Sequence, residues 1–419
     1  MRAVGLIVEY NPFHNGHSYH LQQSRKLSGA DAVVAVMSGH FLQRGEPAMA
    51  DKWTRTRMAL AGGCDLVIEL PVAYATQAAE WFAYGAVSLL EATGVVDSFC
   101  FGTESGRLEP LLLAARLAAH EPQRFKETLR RLLDTGMSYP SAYSRTISSM
   151  LAEQGEAEAA SFPFDQPNHT LGLHYLIAHR RIGSRMTPLT IAREKAQYNQ
   201  QTISDASIAS ATSIRKLLLE GGTLSDAAPY MPASTRRLLE EGWRAGRGPV
   251  GWDDYMDALL HAILTRTPAE LAQLREISEG LEHRLTGRLP LLQSRRFEEL
   301  LGLLKTKRYT RTKLQRALLS VLLGHAKSDF TPDKLASGVQ YLRVLGFTAK
   351  GRTLLKTMRD TAALPVLLSA ARPPAPCRYL ELDAAASGIY MLGASRRGIE
   401  SAAAPLELYR DYYGKPVML

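Results

Sequence analysis

Three histidines crowd a short stretch near the start of the chain: His14, His17 and His20 in EYNPFHNGHSYH, which begins at Glu9. Three chemistries fit such a group. His14 and His17 share one face of a first helical turn, where two imidazoles can donate hydrogen bonds to a phosphate and stabilise charge developing on it. Gly16 between them lets a ligand approach the backbone closely. The trio also offers metal ligands, but spacing by three drifts around a helix, no cysteine is near, and the nearest carboxylate, Glu9, sits back from the turn. The third reading is a set of solvated turn histidines.

The elements around the trio favour the phosphate. RAVGLIVEY, just before it, reads as a buried strand, and HSYHLQQSRKLSG as a helix ending at Gly29. DAVVAVMSG, CDLVIELP and VVDSFCFG read as further strands. DKWTRTRMALAGG, with Asp51 as its N-cap, and AAEWFAYGAVSLLEATG are the helices between them. Continuous apolar strands alternating with helices predict an α/β domain with a parallel sheet covered on both faces. Such sheets bind ligands at the carboxyl ends of their strands, where helix N-termini favour anions. The histidines sit at the first of those turns. A later strand, PLTIAREKAQY, precedes a helix start in SIASATSIRKLLLEGG, capped by Ser210 or Thr212 and closed by Gly221 and Gly222.

From Trp252 onward the pattern turns helical. YMDALLHAILTRTPAELAQL, SRRFEELLGLLKT, TRTKLQRALLSVLLG and TPDKLASGVQYLRVLGF read as successive amphipathic helices. Breaks rich in Gly and Pro suggest three parts: an α/β region 1–225 that carries the candidate site, an α-helical nucleic-acid-binding region 226–372 and a helical segment 373–419 packed back on the body. The net charge is +9, which suits a polyanionic partner. Lys305, Lys307, Arg308, Arg311 and Lys313, flanked by Arg295, Arg296 and Arg316, cluster around Tyr309. Basic residues with an aromatic suit a phosphate backbone and a stacked base. The loop FLQRGEPAMADKWTRTR carries Gln43, Arg44, Glu46, Asp51, Lys52, Arg55 and Arg57. It reads either as a lid over a ligand, with Arg44 or Lys52 as its cation, or as a solvated loop and charged helix face. Cys64, Cys100 and Cys377 are too few and scattered for a disulfide framework or cysteine zinc site, and no apolar run is long enough to span a bilayer. A cytoplasmic protein is the expectation, with no membrane partner and no resident metal.

HNGH, His14 to His17, resembles the HxGH signature of the nucleotidyltransferase and class I aminoacyl-tRNA synthetase superfamily. There the two histidines stabilise the α-phosphate of ATP during adenylyl transfer. ASATSIRKLL is similar to the Ser/Thr-x-x-Arg helix start that grips ATP phosphates in that superfamily. Here Thr212 or Ser213 would supply hydroxyl and backbone donors, and Arg215 a forked cation. Longer stretches resemble the bacterial tRNA(Met) cytidine acetate ligase family: GLIVEYNPFHNGH, VMSGHFLQRGEPAMADKWTRTRMAL, ELPVAYATQAAEWFAYGAVSLL, CFGTESG, PNHTLGLHYL and LLKTKRYTRTKLQRALLSVLLG.

That resemblance implies a Rossmann-like nucleotidyltransferase sheet at the N-terminus and a mainly α-helical C-terminal region. It implies ATP-dependent formation of acetyl-adenylate from acetate, then acetyl transfer to N4 of the wobble cytidine of elongator tRNA(Met). Mg²⁺ is expected with the ATP. His14, His17 and Arg215 would be the catalytic set. ATP would contact Ile7, Val8, Glu9, Asn11, Pro12, Phe13, His14, Gly16, His17 and His20, with Gly102, Asn168, Arg193, Thr212 and Ser213. The chain departs from the family pattern in four places. His40 stands where Asn is usual, His174 where an acidic residue is usual, and Asn199 with Gln200 where a His-Asp pair is common. Two other readings use the same motifs: an adenylyltransferase making a small cofactor, and a non-catalytic RNA-binding factor.

Overall fold

Strand β1 (Ala3–Val8) lies in the middle of the sheet, and all of it except Ile7 is buried. The computed structural model describes residues 1–193, 209–306, 308–394 and 407–419. Lys307, Asn199 and Gln200 lie outside the described residues. β1 pairs in parallel with β2 (Ala32–Ser38) on one side and β4 (Ser98–Thr103) on the other. β3 (Leu66–Leu70) continues beyond β2, and β5 (Thr187–Ala192) beyond β4, both in parallel. The order β5-β4-β1-β2-β3 reverses direction between β1 and β4. Ligands of open α/β sheets bind in the crevice at such a reversal. The stretch carrying the three histidines leaves β1 there.

Alternation along the strands sorts side chains to two cores. Leu6, Val8, Val33, Ala35, Met37 and Cys100 meet Leu21 of helix α1 (Asn15–Ser28) and Met58 to Leu60 of helix α2 (Lys52–Ala61). Val34, Val36, Ile68, Phe99 and Phe101 face the other way, against the helices Ala79–Ala92 and Pro167–Arg181. Burial on both faces explains why these strands read as continuous apolar runs.

The C-terminal half is mainly helical, with one departure from expectation. TPDKLASGVQYLRVLGF holds a short helix, Pro332–Ala336, and then strand β6 (Leu342–Phe347), not one amphipathic helix. β6 runs antiparallel to β3 and extends the N-terminal sheet, carrying the short strands β7 (Val366–Leu367) and β8 (Val417–Met418). The reason is Arg343. A charge amid apolar residues suggests a helix with one polar face, but this guanidinium is buried against Asp411 at 2.8 Å and Glu69 at 3.3 Å. The helix Arg378–Ala394 also reaches the N-terminal region: Asp383 accepts from the Val72 amide at 2.6 Å, and Tyr390 donates to the Ala48 carbonyl at 2.8 Å.

Candidate active site

His14 is the N-cap of α1. Its Nδ1 accepts from the Gly16 amide at 3.0 Å, while His17 Nδ1 accepts from the His14 amide at 3.3 Å, closing a reciprocal cap. A neutral imidazole whose Nδ1 accepts carries its proton on Nε2. The rings stack with centroids 3.8 Å apart. Burial, then Arg193 and Arg215, pushes the pKa of His14 down to about 3. Burial, then His14 and Arg193, lowers that of His17 well below the usual value, against a smaller pull from the Pro12 carbonyl. Both are therefore neutral donors at physiological pH. With each Nδ1 committed to the backbone, neither is arranged as one of a set of metal ligands, and no cluster of three or more His, Cys, Asp and Glu side chains suited to a metal occurs among the described residues.

These rings open onto a cavity of about 240 Å³ over the ends of β1 and β4. His20, one turn along α1, has a pKa lowered to about 4 by burial and then Arg193. Its Nε2, and Nδ2 of Asn11, are buried without a hydrogen-bond partner among the described residues, although both side chains line the cavity. Buried donors left this way point to a ligand. Tyr10 adopts φ 46°, a strained conformation for a bulky residue, where the chain turns from β1. The Arg55 guanidinium holds that turn through the carbonyls of Glu9 (2.6 Å), Ser38 (3.1 Å), Gly39 and Ala50 (3.1 Å).

Arg193 and Arg215 reach the cavity from β5 and from a later helix. Arg193, just after β5, donates to Asn168 Oδ1 at 3.0 Å, and Glu104 accepts from the Asn168 side chain and amide, both at 2.8 Å. Gly102 lies beneath: a Cβ there would stand 3.2 Å from Arg193 Cγ and 3.7 Å from His20 Cδ2. Arg215, on the helix Ala211–Leu219, donates to the Asn11 carbonyl at 3.0 Å and pairs with Glu46 at 3.3 Å. Ser210, not Thr212, caps this helix, accepting from the Ser213 amide at 3.1 Å. Ser213 is held in that cap beneath the surface, while Thr212 faces the cavity.

The cavity thus gathers Ile7, Val8, Glu9, Asn11, His14, Gly16, His17, His20, Gly102, Asn168, Arg193, Thr212 and Arg215. Pro12, Phe13 and Ser213 do not line it; Phe13 is packed edge-on to Tyr10 at 4.8 Å. The family model described as "HIGH Nucleotidyl Transferase" matches residues 1–402. The chain is 41% identical over 402 residues to a tRNA(Met) cytidine acetate ligase of Acetivibrio thermocellus, covering 94% of this chain and 95% of that one. It is 39% identical over 419 residues to one of Lysinibacillus sphaericus, covering 100% of both. The chain belongs to the tRNA(Met) cytidine acetate ligase family. The crystal structure of Thermotoga maritima TmcAL bound with alpha-thio ATP is similar over 100% of both chains, with a TM-score of 0.88 at 33% identity. Its apo form gives a TM-score of 0.90.

His40 and His174, singled out in the sequence as departures from the resemblance, lie away from the cavity. His40 stacks on Tyr390 at 4.3 Å and bonds Ser387 Oγ at 3.0 Å; His174 stacks on Tyr143 at 5.8 Å. Of the two suggested lid cations, Arg44 lines the cavity. Lys52 does not: it is fully buried, 2.6 Å from Glu69 and 2.7 Å from Asp411. Its partners come from β3 and the C-terminal segment, which the local sequence cannot reveal. The sequence reading did not single out Phe82, Phe101, Leu171 and Tyr175, which also line the cavity. The one available signal was Phe101, directly before Gly102.

The basic cluster also differs from expectation. Tyr309 is buried and donates to the Glu279 carbonyl at 2.6 Å, so it is no exposed platform for a base. Acidic residues distant in sequence meet the cations: Arg311 forks onto Glu298 (2.7 Å for one arm), Lys313 lies 3.4 Å from Glu279, and Arg316 2.9 Å from Glu276. Lys305 and Arg308 are exposed. No helix among the described residues is long and apolar enough to cross a membrane.

Proposed function

We propose that this chain joins acetate to ATP, releasing pyrophosphate, and passes the acetyl group of acetyl-adenylate to N4 of the wobble cytidine of elongator tRNA(Met). The observation that carries this reading is the stacked, neutral pair His14 and His17 at the turn after β1, facing a cavity bounded by Arg193 and Arg215. In the first step an acetate oxygen attacks the α-phosphorus as the bond to pyrophosphate breaks. His14 and His17 donate from Nε2 to the α-phosphate, and Arg215 and Thr212 bind the departing phosphates. Little covalent work is asked of the protein; positioning and charge neutralisation dominate.

Gly102 and Asn168 lie against the nucleoside, with Arg193 held over it by Asn168. Pro12, Phe13 and Ser213 act by shaping the loop and the helix cap. Mg²⁺ would arrive with ATP, held by its phosphates and water, and would supply charge neutralisation there. In the second step N4 attacks the acetyl carbon, AMP leaves, and N4 loses a proton. A wobble base lies in a single-stranded loop and can enter a pocket without duplex melting. Lys305, Lys307, Arg308, Arg311 and Lys313 contact the tRNA backbone; Arg311 and Lys313 exchange Glu298 and Glu279 for phosphate as they do so. The compartment is the cytoplasm, which suits three free cysteines.

The test incubates the protein with ATP, labelled acetate and unmodified tRNA(Met), then digests the tRNA. N4-acetylcytidine at the wobble position is expected; its absence with folded protein overturns the reading. Acetate-dependent ATP–pyrophosphate exchange without tRNA tests the first step alone.

A further inference from the structure

The cavity continues past the histidines to the opposite face of the sheet. α1 packs on the face that carries Leu6, Val8 and Cys100. Ile7 and Phe101 follow the paired residues Leu6 and Cys100, so they project to the other face, toward the helices Ala79–Ala92 and Pro167–Arg181. The helices on this face bring apolar side chains to the lining: Phe82, Leu171 and Tyr175, beside Phe101 of β4, with Leu42 from the loop after β2. The Phe101 and Tyr175 rings lie 5.7 Å apart. The helix bearing Leu171 approaches closely at Gly172, where a Cβ would stand 2.6 Å from Phe101 Cε2. Glu9 and Gln43 also line the cavity: the Gln43 amide donates to Glu9 Oε1 at 2.8 Å, and its side chain to the Gln77 carbonyl at 3.2 Å.

We propose that Phe82, Phe101, Leu171 and Tyr175 form the acyl subsite, which takes the methyl group of a short-chain carboxylate and sets its length. The proposal rests on the acetate-ligase reading and adds where acetate lies. A carboxylate that attacks the α-phosphorus must put an oxygen beside His14 and His17. Its alkyl group then points away from the phosphates and from Arg215. Phe82, Phe101, Leu171 and Tyr175 offer aromatic and aliphatic surface there, suited to a methyl. Two aromatic rings and a helix that touches Phe101 at Gly172 close the far side. One methylene added to a ligand must displace such a wall. That is the physical basis of selectivity for acetate over propionate, of order tenfold to two-hundredfold per methylene.

The test measures ATP–pyrophosphate exchange with acetate, propionate and butyrate, without tRNA, for the full chain and two variants. Leu171→Ala opens the end, and Leu171→Phe fills it; Leu171 is half-buried, so both changes are mild. Expected for Leu171→Ala is a rise of about tenfold or more in the kcat/KM ratio of propionate to acetate, with the KM for ATP within about twofold of the parent. Expected for Leu171→Phe is a higher KM for acetate at unchanged KM for ATP. A raised KM for ATP with unchanged carboxylate preference in both variants overturns the proposal, because the apolar end then holds adenine. Unchanged kinetics in both overturns it too. Absence of exchange with every carboxylate in the parent protein instead overturns the acetate-ligase reading itself.

Discussion

His14 and His17 lie ring on ring, 3.8 Å apart, and each gives its Nδ1 to a backbone amide of the turn they share. His14 caps the helix and, in the proposed reaction, donates a hydrogen bond to phosphate; the two roles can be separated. Asn is a good N-cap. His14→Asn should keep the thermal midpoint close to that of the parent while lowering acetate-dependent exchange by about 10²- to 10³-fold, the usual cost of one oxyanion donor. A His14→Asn protein with full exchange activity would remove His14 from the chemistry.

Arg215 rests on a carboxylate. Its Nη2 lies 3.3 Å from Glu46, whose other oxygen accepts from Gln315 at 3.2 Å. In the proposed reaction, bound ATP replaces Glu46 in this pairing. Arg215→Lys offers a point charge without the fork. It should recover little of the loss seen in Arg215→Ala, which is expected to be about 10²-fold in kcat/KM for ATP. Steady-state exchange at varied ATP reads both variants.

Glu9 faces the same cavity as the acetate proposed there. Burial raises its pKa, opposed by the Gln43 amide and Arg215. A carboxyl with a raised pKa is increasingly ionised as pH climbs, and the ionised form repels an incoming carboxylate. The KM for acetate should therefore rise with pH in the parent protein. Glu9→Gln should flatten that dependence; a parallel slope in both proteins would count against Glu9.

Acid should destabilise the free protein through its histidines. Burial is the first cause of the lowered values of His14, about 3, and His20, about 4. Burial likewise lowers His17, His40 and His325. A depressed histidine contributes stability that is fully present above about pH 6.5 and is lost as pH falls toward its folded value. Asp383 opposes them: burial, then Glu69, raises its pKa, so its contribution falls as pH rises. The histidines outnumber it. Unfolding near pH 5 should take up protons, visible as calorimetric enthalpies that vary with the buffer's ionisation heat.

Lys52 has no solvent to fall back on. Removing it as Lys52→Met leaves Glu69 and Asp411 buried beside Arg343 alone. Breaking one side of a buried pair costs about 3–5 kcal/mol. Urea denaturation should show a loss of that order. Loss of activity should follow only where the loop from Gly39 to Asp51 loosens.

The sequence by itself determined the parts whose signal is local. Apolar β-branched runs alternating with helices marked β1 to β4, because strands buried on both faces have no polar alternation to hide them. HNGH at the first strand-to-helix turn, and SATSIRK at a helix start, were legible because a cap and its neighbours lie within a few residues of each other. The tertiary structure decided what depends on distant partners. It brought Arg215 to the carbonyl of Asn11, laid Phe82, Leu171 and Tyr175 against Phe101, and turned Leu342–Phe347 into a strand of the first sheet. It also buried Lys52 and Tyr309, which read as exposed. A charge on an amphipathic pattern looks solvated until the carboxylate that neutralises it is known. Here Asp411, which meets Lys52, lies hundreds of residues away, beyond the reach of any periodicity.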